Sequence, residues 1–287
     1  MCTEHSEGNM MKKQAFMFFK PGIMTVLMVL LAMGLSAYGA PPEGKAAAIP
    51  VKSGDKMAFM GDSITAGGAG VDGYITLVID AFKKEGLDVI SIPAGISGHK
   101  SNDMLGRLDN DVISKSPQWM LLSCGVNDVW HFQLRLGKNT FTGVPLEDYK
   151  KNITAIIEKA QSANIKVMIL TSTMIGEDPE RELNKNMIPY NDFLRQIAKE
   201  KKCLLADLNV DMQEAIKKIP DEKGPAKMFG ERGYKRDIKN KLTSDGCHMN
   251  KLGNIMMAKG ILKAFGLSED KIATAEKSWL TDAPPKK

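Results

Sequence analysis

A serine and a distant aspartate–histidine pair are the residues of this chain with the most informative chemistry. Ser63 follows an apolar run in the segment Gly61-Asp62-Ser63-Ile64-Thr65, and Asp245 and His248 lie three positions apart towards the other end of the chain. A serine hydroxyl becomes a nucleophile when a histidine takes its proton, and a carboxylate must hold that histidine in the correct tautomer. The spacing lets Asp245 reach Nδ1 of His248 and leaves Nε2 for Ser63. These residues therefore predict acyl transfer through a serine nucleophile.

Each of these motifs also has an ordinary structural interpretation. A serine in a strand-to-helix turn is a common helix cap, and so is an aspartate that precedes a helix. His99 and His131 are the other candidates for the base, because His5 lies in a segment that we expect to be removed. Taken alone, neither motif decides between a catalytic and a capping role.

Polar turns after two further apolar runs offer groups that could stabilise an oxyanion. Gly95-Ile96-Ser97-Gly98 follows the second run, and Gly125-Val126-Asn127-Asp128 follows the third. The Asn127 amide can donate an N–H to a negatively charged oxygen, and glycine lets the backbone approach a ligand closely. Both segments are also typical turn sequences, so each remains open between the two interpretations.

Strand-like and helix-like segments alternate along the chain and would position these motifs. Apolar β-type runs occupy residues 56–60, 88–92, 119–123, 166–171 and 204–207, and helical periodicity occupies residues 74–84, 102–113, 146–160, 187–199 and 251–265. This alternation predicts a three-layer α/β/α fold with a central five-stranded parallel sheet. Right-handed crossovers favour a flavodoxin-like strand order. Two polar segments, residues 130–143 and 220–241, interrupt the alternation.

The joint order of the four motifs resembles that of the SGNH hydrolase superfamily, the GDSL-type esterases and lipases. The family's GDS block, second-loop glycine, GxND block and C-terminal DxxH correspond to residues 61–63, 98, 125–128 and 245–248. The resemblance spans residues 56–267 and implies that Ser63 is the nucleophile, His248 the base and Asp245 its partner. It also implies an oxyanion hole made by the N–H groups of Ser63 and Gly98 and the Asn127 side chain, with no cofactor. The GxSxG elbow of the other esterase fold is absent from the sequence.

The first forty residues differ from the rest of the chain. Lys12, Lys13 and Lys20 precede an apolar run at residues 23–35, and small residues follow it. The run is short for a membrane span, so residues 1–39 are predicted to be a cleaved signal peptide, with an uncleaved anchor as the alternative. We expect a linker at residues 40–54, a hydrolase domain at 55–267 and a C-terminal extension at 268–287. The mature protein would be secreted or periplasmic, without membrane contact.

The cysteines of the mature chain are odd in number. Cys2 leaves with the signal peptide, which leaves Cys124, Cys203 and Cys247. Cys124 and Cys247 flank predicted site motifs, so a bridge between them is conceivable. Buried free thiols are the favoured interpretation, because free cysteine behaves as a small hydrophobic side chain.

Composition narrows the class of partner. The 287 residues are 43% hydrophobic and 25% charged, with a net charge of +5, and the lysines are scattered among acidic residues. A nucleic-acid-binding protein would concentrate basic residues on one face, so this class is excluded. An exported chain with polar insertions suits a hydrophilic ester, and we expect O-acetyl groups on carbohydrate. Trp130, His131 and Phe132 could stack on a sugar or form a hydrophobic plug.

Two alternative functions remain at this stage. A lysophospholipase or thioesterase would need an apolar groove for an acyl chain. A catalytically silent carbohydrate-binding protein would lack a member of the triad, and Ser63, Asp245 and His248 are all present. The oligomeric state is left open by the sequence.

Overall fold

A five-stranded parallel sheet forms the centre of the molecule. A computed structural model of the chain describes residues 49–136, 138–231 and 234–281. Its strands are β1 (Lys56–Gly61), β2 (Ile90–Gly95), β3 (Trp119–Ser123), β6 (Lys166–Leu170) and β7 (Leu204–Ala206). They have the order β2-β1-β3-β6-β7 in the sheet, with every neighbouring pair parallel. The predicted fold class and flavodoxin-like strand order are therefore confirmed.

Helices cover both faces of this sheet. They are α1 (Ser63–Gly68), α2 (Tyr74–Lys84), α3 (Ser101–Asp111), α4 (Val126–Trp130), α5 (Leu146–Ser162), α6 (Glu182–Glu200), α7 (Leu208–Lys218), α8 (Lys251–Ala264) and α9 (Glu269–Thr281). Helices α2, α7, α8 and α9 pack together in one layer, and α3, α5 and α6 pack together in the other. Because both faces of the sheet are covered, β1 and β3 are almost wholly buried apolar runs. None of the described helices has the length and apolar character that crossing a bilayer requires.

The second strand lies later in the chain than the sequence predicts. Residues 88–92 carry the apolar run, but β2 covers Ile90–Gly95 and includes Pro93. β2 is an edge strand, and proline is tolerated at an edge because it need not donate to a neighbouring strand. The two-residue strands β4 (Arg135–Leu136) and β5 (Asn139–Thr140) form a small antiparallel ribbon within the polar segment 130–143.

Both ends of the predicted domain continue into ordered structure. Val51 is buried in the core, and Gly54 donates a backbone hydrogen bond to Asp88, so contacts with the domain begin before residue 55. Helix α9 packs on α2 and α8 beyond residue 267. The predicted domain boundaries remain predictions, and the predicted signal peptide, residues 40–48 and the C-terminal residues 282–287 lie outside the described residues.

We predict that Trp279 anchors α9 to the domain. Its side chain is 4% exposed, and its Nε1 donates a hydrogen bond of 2.8 Å to Oδ2 of Asp80 on α2. Trp279→Ala removes a large buried side chain and should lower the free energy of unfolding by about 3–5 kcal/mol. The neighbouring Leu280 is 52% exposed, and Leu280→Ala should change that energy by less than about 0.5 kcal/mol. Equal urea midpoints for the two variants would show that this packing is wrong.

Candidate active site

The end of β1 fixes the position of Ser63. A Cβ atom on Gly61 would lie 2.0 Å from Oγ1 of Thr65, so only glycine allows α1 to turn back this closely over the strand. Asp62 caps α1 and accepts a hydrogen bond of 2.9 Å from the N–H of Ile64. Ser63 is the first residue of the helix and sits beyond the carboxyl end of β1, where ligands bind in open parallel sheets.

Asp62 is a buried acid beneath this turn. Burial is the main reason that its pKa rises to about 6, and the negative charge of Asp128 raises it further. The charge of Asp62 in turn acts on His248 and helps to raise the pKa of that imidazole. The capping residue of the serine turn is therefore also part of the electrostatic environment of the histidine.

The structure brings Ser63, His248 and Asp245 into one chain of hydrogen bonds. Nε2 of His248 lies 2.8 Å from Oγ of Ser63, and Nδ1 of His248 lies 2.8 Å from Oδ2 of Asp245. The other carboxylate oxygen of Asp245 accepts the backbone N–H of His248 at 2.8 Å and that of Cys247 at 3.1 Å. Asp245 therefore holds both the ring and the backbone of the histidine, and Nε2 is directed at the serine hydroxyl.

This arrangement separates the pKa values of the pair. The hydrogen bond to Asp245 raises the pKa of His248 above its ordinary value of 6.5, against the opposing effect of burial. Burial acts to raise the pKa of Asp245, but hydrogen bonds from His248 and from backbone N–H groups outweigh it and leave that pKa below its ordinary value. Asp245 is thus an anion at neutral pH and stabilises an imidazolium as it forms.

Gly98 lies in the loop after β2, and Asn127 lies in the first turn of α4 after β3, the two strands that flank β1. Gly98 has a φ of 79°, which favours glycine because it lies in the left-handed region. Nδ2 of the buried Asn127 donates a hydrogen bond of 3.1 Å to the carbonyl of His99, so the two segments are joined. Within the part of the chain that the structure describes, neither residue hydrogen-bonds to Ser63. Their predicted role towards a substrate oxyanion stays a prediction.

Arg107 on α3 ties these segments to the sheet, and the sequence pattern did not predict this role. Its guanidinium donates to the carbonyls of Gly61 and Ala94, at 2.8 Å and 2.9 Å, and its Nε donates to Nδ1 of His99 at 3.0 Å. One side chain therefore fixes the ends of β1 and β2 and the loop that contains Gly98. Arginine is common on the polar face of an amphipathic helix, so the sequence around Arg107 does not indicate this role.

The two rival histidines do not reach the serine. His99 accepts from Arg107, and burial together with that positive charge lowers its pKa. His131 repeats the aspartate spacing of the catalytic motif, since Asp128 lies three residues before it. Asp128, however, accepts hydrogen bonds from Ser101 and Cys124, and burial lowers the pKa of His131 to about 4. The spacing occurs twice, and only one copy meets Ser63.

Phe229, from the polar segment 220–241, borders His248 and connects it to Trp130 of the other polar segment. The ring of Phe229 packs edge-on to His248 at 5.8 Å and to Trp130 at 5.7 Å between ring centroids. Phe229 is 41% exposed. Of the three residues predicted to stack on a sugar or form a hydrophobic plug, Trp130 and His131 are buried and Phe132 is 45% exposed. A cavity of about 530 Å³ adjoins Trp130 and has polar walls that include Gln133, Arg135 and Lys235. Phe229 is an aromatic residue in a polar stretch of the sequence, but its contact with His248 is tertiary and could not be predicted from the sequence.

Among the residues that the structure describes, the cysteines and metal-ligating groups form no second site. Cys124, Cys203 and Cys247 are all free, so the conceivable Cys124–Cys247 bridge is not formed, and Cys203 is only half-buried. Burial raises the pKa of the Cys124 and Cys247 thiols well above their ordinary value. In the described ranges, no three His, Cys, Asp or Glu side chains are grouped to hold a metal ion.

Comparison with known proteins shows to which family of enzymes the chain belongs. Residues 59–254 match the model of the GDSL-like Lipase/Acylhydrolase family, and the chain belongs to that family. It is accordingly a GDSL-type carboxylic ester hydrolase. The chain is similar to a solved acetyl xylan esterase called AlAXEase, with 34% identity and a TM-score of 0.61 over 73% of this chain and 98% of that one.

A second relative comes from Geobacillus stearothermophilus. Its acetylxylan esterase is 25% identical over 231 residues, which cover 75% of this chain and 96% of that protein. The crystal structure of that esterase, Axe2, has a TM-score of 0.62 over 76% of this chain and 97% of that one, at 23% identity. Three variants of Axe2 are described as catalytic mutants, and they replace a serine, an aspartate and a histidine by alanine. That aspartate and histidine stand three positions apart.

We predict that the raised pKa of His248 sets the acid limb of the pH profile. His248 must be neutral to accept the serine proton, so kcat/KM should fall as the pH falls through a value above 6.5. Asp245→Asn removes the interaction that raises the pKa. It should move the titration of His248, followed by NMR, to lower pH and reduce kcat by about four orders of magnitude. The exposed acid Asp109 provides the control Asp109→Asn, and an unmoved titration in Asp245→Asn would contradict the prediction.

Proposed function

We propose that this protein is a serine esterase that removes O-acetyl groups from carbohydrate, with acetylated xylan or its oligosaccharides as the substrate class. The observation that carries the proposal is the pair of 2.8 Å hydrogen bonds that link Ser63, His248 and Asp245. A nucleophile, a base and an orienting carboxylate in this geometry are the parts that acyl transfer requires. The acetylxylan esterases to which the chain is similar supply the substrate class.

In the first half of the reaction, Oγ of Ser63 loses its proton to Nε2 of His248 and attacks the carbonyl carbon of the acetyl group. The carbonyl oxygen becomes an oxyanion, which the N–H groups of Ser63 and Gly98 and the Asn127 amide would stabilise. Ser63 begins α1, and the first N–H groups of a helix have no partner within it. An asparagine amide has two N–H donors, and the contact of Asn127 with His99 uses one of them.

When the tetrahedral intermediate collapses, the imidazolium of His248 gives its proton to the oxygen of the departing sugar, which leaves as an alcohol, and an acetyl group remains on Ser63. A water molecule then loses a proton to His248 and attacks this acyl-enzyme. Acetate leaves, and the serine regains its hydrogen. Asp245 remains an anion throughout, because its hydrogen bonds keep its pKa low.

The surroundings of His248 favour a polar substrate. Phe229 presents a partly exposed ring beside the histidine, which can pack on the apolar face of a sugar ring. The neighbouring cavity offers the polar side chains of Gln133, Arg135 and Lys235 for sugar hydroxyls. Ligand sites typically combine an apolar surface with a few polar groups in this way.

We also propose that the enzyme is secreted or periplasmic. The first forty residues support this location, because basic residues precede an apolar run and small residues follow it.

Ser63→Ala tests the nucleophile. The variant lacks the attacking oxygen, so hydrolysis of 4-nitrophenyl acetate should fall by more than about a thousandfold, and labelling by a fluorophosphonate should disappear. Ser114→Ala removes a surface hydroxyl that bonds only to the carbonyl of Asn110, and it should leave both readouts unchanged. Full activity of folded Ser63→Ala would eliminate the proposed mechanism.

Acyl-chain preference tests the substrate class. The wild-type enzyme should hydrolyse acetyl esters much faster than octanoyl esters and should release acetate from acetylated xylan and xylo-oligosaccharides. A preference for octanoyl esters, without acetate release from the polysaccharide, would instead identify a lysophospholipase or thioesterase. An enzyme inactive on every ester and unreactive towards fluorophosphonate would identify the catalytically silent binding protein.

A further inference from the structure

The loop that carries Asp245 and His248 is supported differently from the one that carries Ser63. Ser63 follows a central strand directly, but α7 ends at Lys218 and α8 begins at Lys251. Within the described residues between them, the chain forms no helix or strand but isolated bridges at 223↔238 and 243↔249 and loop hydrogen bonds, such as that from the N–H of Phe229 to the carbonyl of Asp245. Side-chain interactions add to these backbone contacts in holding Asp245 and His248 opposite the serine.

Glu177 supplies such an interaction from the other side of the site. It lies in the segment between β6 and α6, and its side chain is 2% exposed. A buried carboxylate is costly unless hydrogen bonds satisfy it. Within the described residues, every hydrogen bond that Glu177 accepts through its side chain comes from three consecutive residues, Lys241, Leu242 and Thr243.

The geometry of this contact suits a carboxylate and no other side chain. Oε2 accepts the N–H of Lys241 at 2.6 Å, and Oε1 accepts the N–H groups of Leu242 and Thr243 and the hydroxyl of Thr243, each at 2.8 Å. All four partners donate, and an ionised carboxylate is the side chain that only accepts. A glutamine would direct an amide N–H at one of these donors. Charge also strengthens each of these hydrogen bonds.

The held segment runs directly into the catalytic loop. Oγ1 of Thr243 accepts a hydrogen bond of 3.1 Å from the N–H of Gly246. Gly246 lies between Asp245 and His248 in the sequence. The N–H of Gly176, next to Glu177, donates to the carbonyl of Gly246 at 2.6 Å. Gly176 and Glu177 therefore hydrogen-bond to the chain on both sides of Asp245, at residues 241–243 and at Gly246. A shift of this contact would move Asp245 and His248 together, relative to Ser63.

We propose that Glu177 is a positioning residue, which sets the distance and angle between His248 and Ser63 through residues 241–246 without touching the substrate. The proposal rests on the proposed function, because it assigns Glu177 to the same hydroxyl-activating site. It predicts an effect on the chemical step rather than on substrate binding, since a misplacement of about 1 Å can reduce a rate by a hundredfold.

Glu177→Gln tests this role at constant side-chain volume. We expect kcat for 4-nitrophenyl acetate to fall by about 10- to 100-fold with KM within about twofold of wild type. The acid limb of kcat/KM should also move to lower pH, because a displaced Asp245 supports the imidazolium less well. A merely structural residue would change the unfolding midpoint and leave the limb in place. Glu177→Asp keeps the charge and should recover part of kcat.

Glu180→Gln is the matched control, since Glu180 lies in the same segment with its side chain 80% exposed, and it should behave as wild type. If Glu177→Gln fails to fold, Thr243→Ala removes one donor to Glu177 and the acceptor of Gly246, and it should lower kcat in the same direction. Unchanged kcat and acid limb in these variants, with a wild type that depends on Ser63, would overturn the role of Glu177 alone. A wild type that does not need Ser63 would instead overturn the proposed function.

Discussion

The hydrogen bond between His248 and Ser63 joins two parts of the chain that are 185 residues apart in sequence. Its two ends are held by different kinds of structure. Ser63 takes its position from β1 and from the glycine that lets α1 fold back over the strand. His248 takes its position from Asp245 and from contacts between loops. The hydrogen bonds around the site therefore hold the turn of Ser63 and the loop of His248 at a fixed distance from each other.

The parts that follow from local pattern could be predicted from the sequence. Strands buried on both faces of a parallel sheet read as continuous apolar runs, so β1, β3 and β6 were found close to their true limits. The carboxyl ends of such strands share one edge, which placed the turns at Ser63, Gly98 and Asn127 together. The limits of the edge strand β2 differ from the predicted ones because its burial is partial and because it continues through Pro93, beyond the apolar run.

Other features depend on contacts that no spacing reveals. The aspartate-x-x-histidine pattern occurs at Asp128–His131 as well as at Asp245–His248, and only the packed structure separates them. Arg107, Glu177 and Phe229 act through partners far along the chain. Helices α7 and α9 were missed because few of their residues are buried, although Ile272, Ala275 and Trp279 in α9 do follow a helical spacing.

The long segment between α7 and α8 also bears on the order in which the molecule assembles. The last central strand, β7, ends at Ala206, so every strand of the sheet has been synthesised well before residues 241–248. Contacts between distant residues close a large loop and form late, and domains begin to fold from their N-terminal parts during synthesis. A nascent chain ending before residue 245 would thus possess all five strands and its serine, yet have no proton acceptor for that serine. Ser63 therefore has its base only after residues 245–248 have joined the sheet.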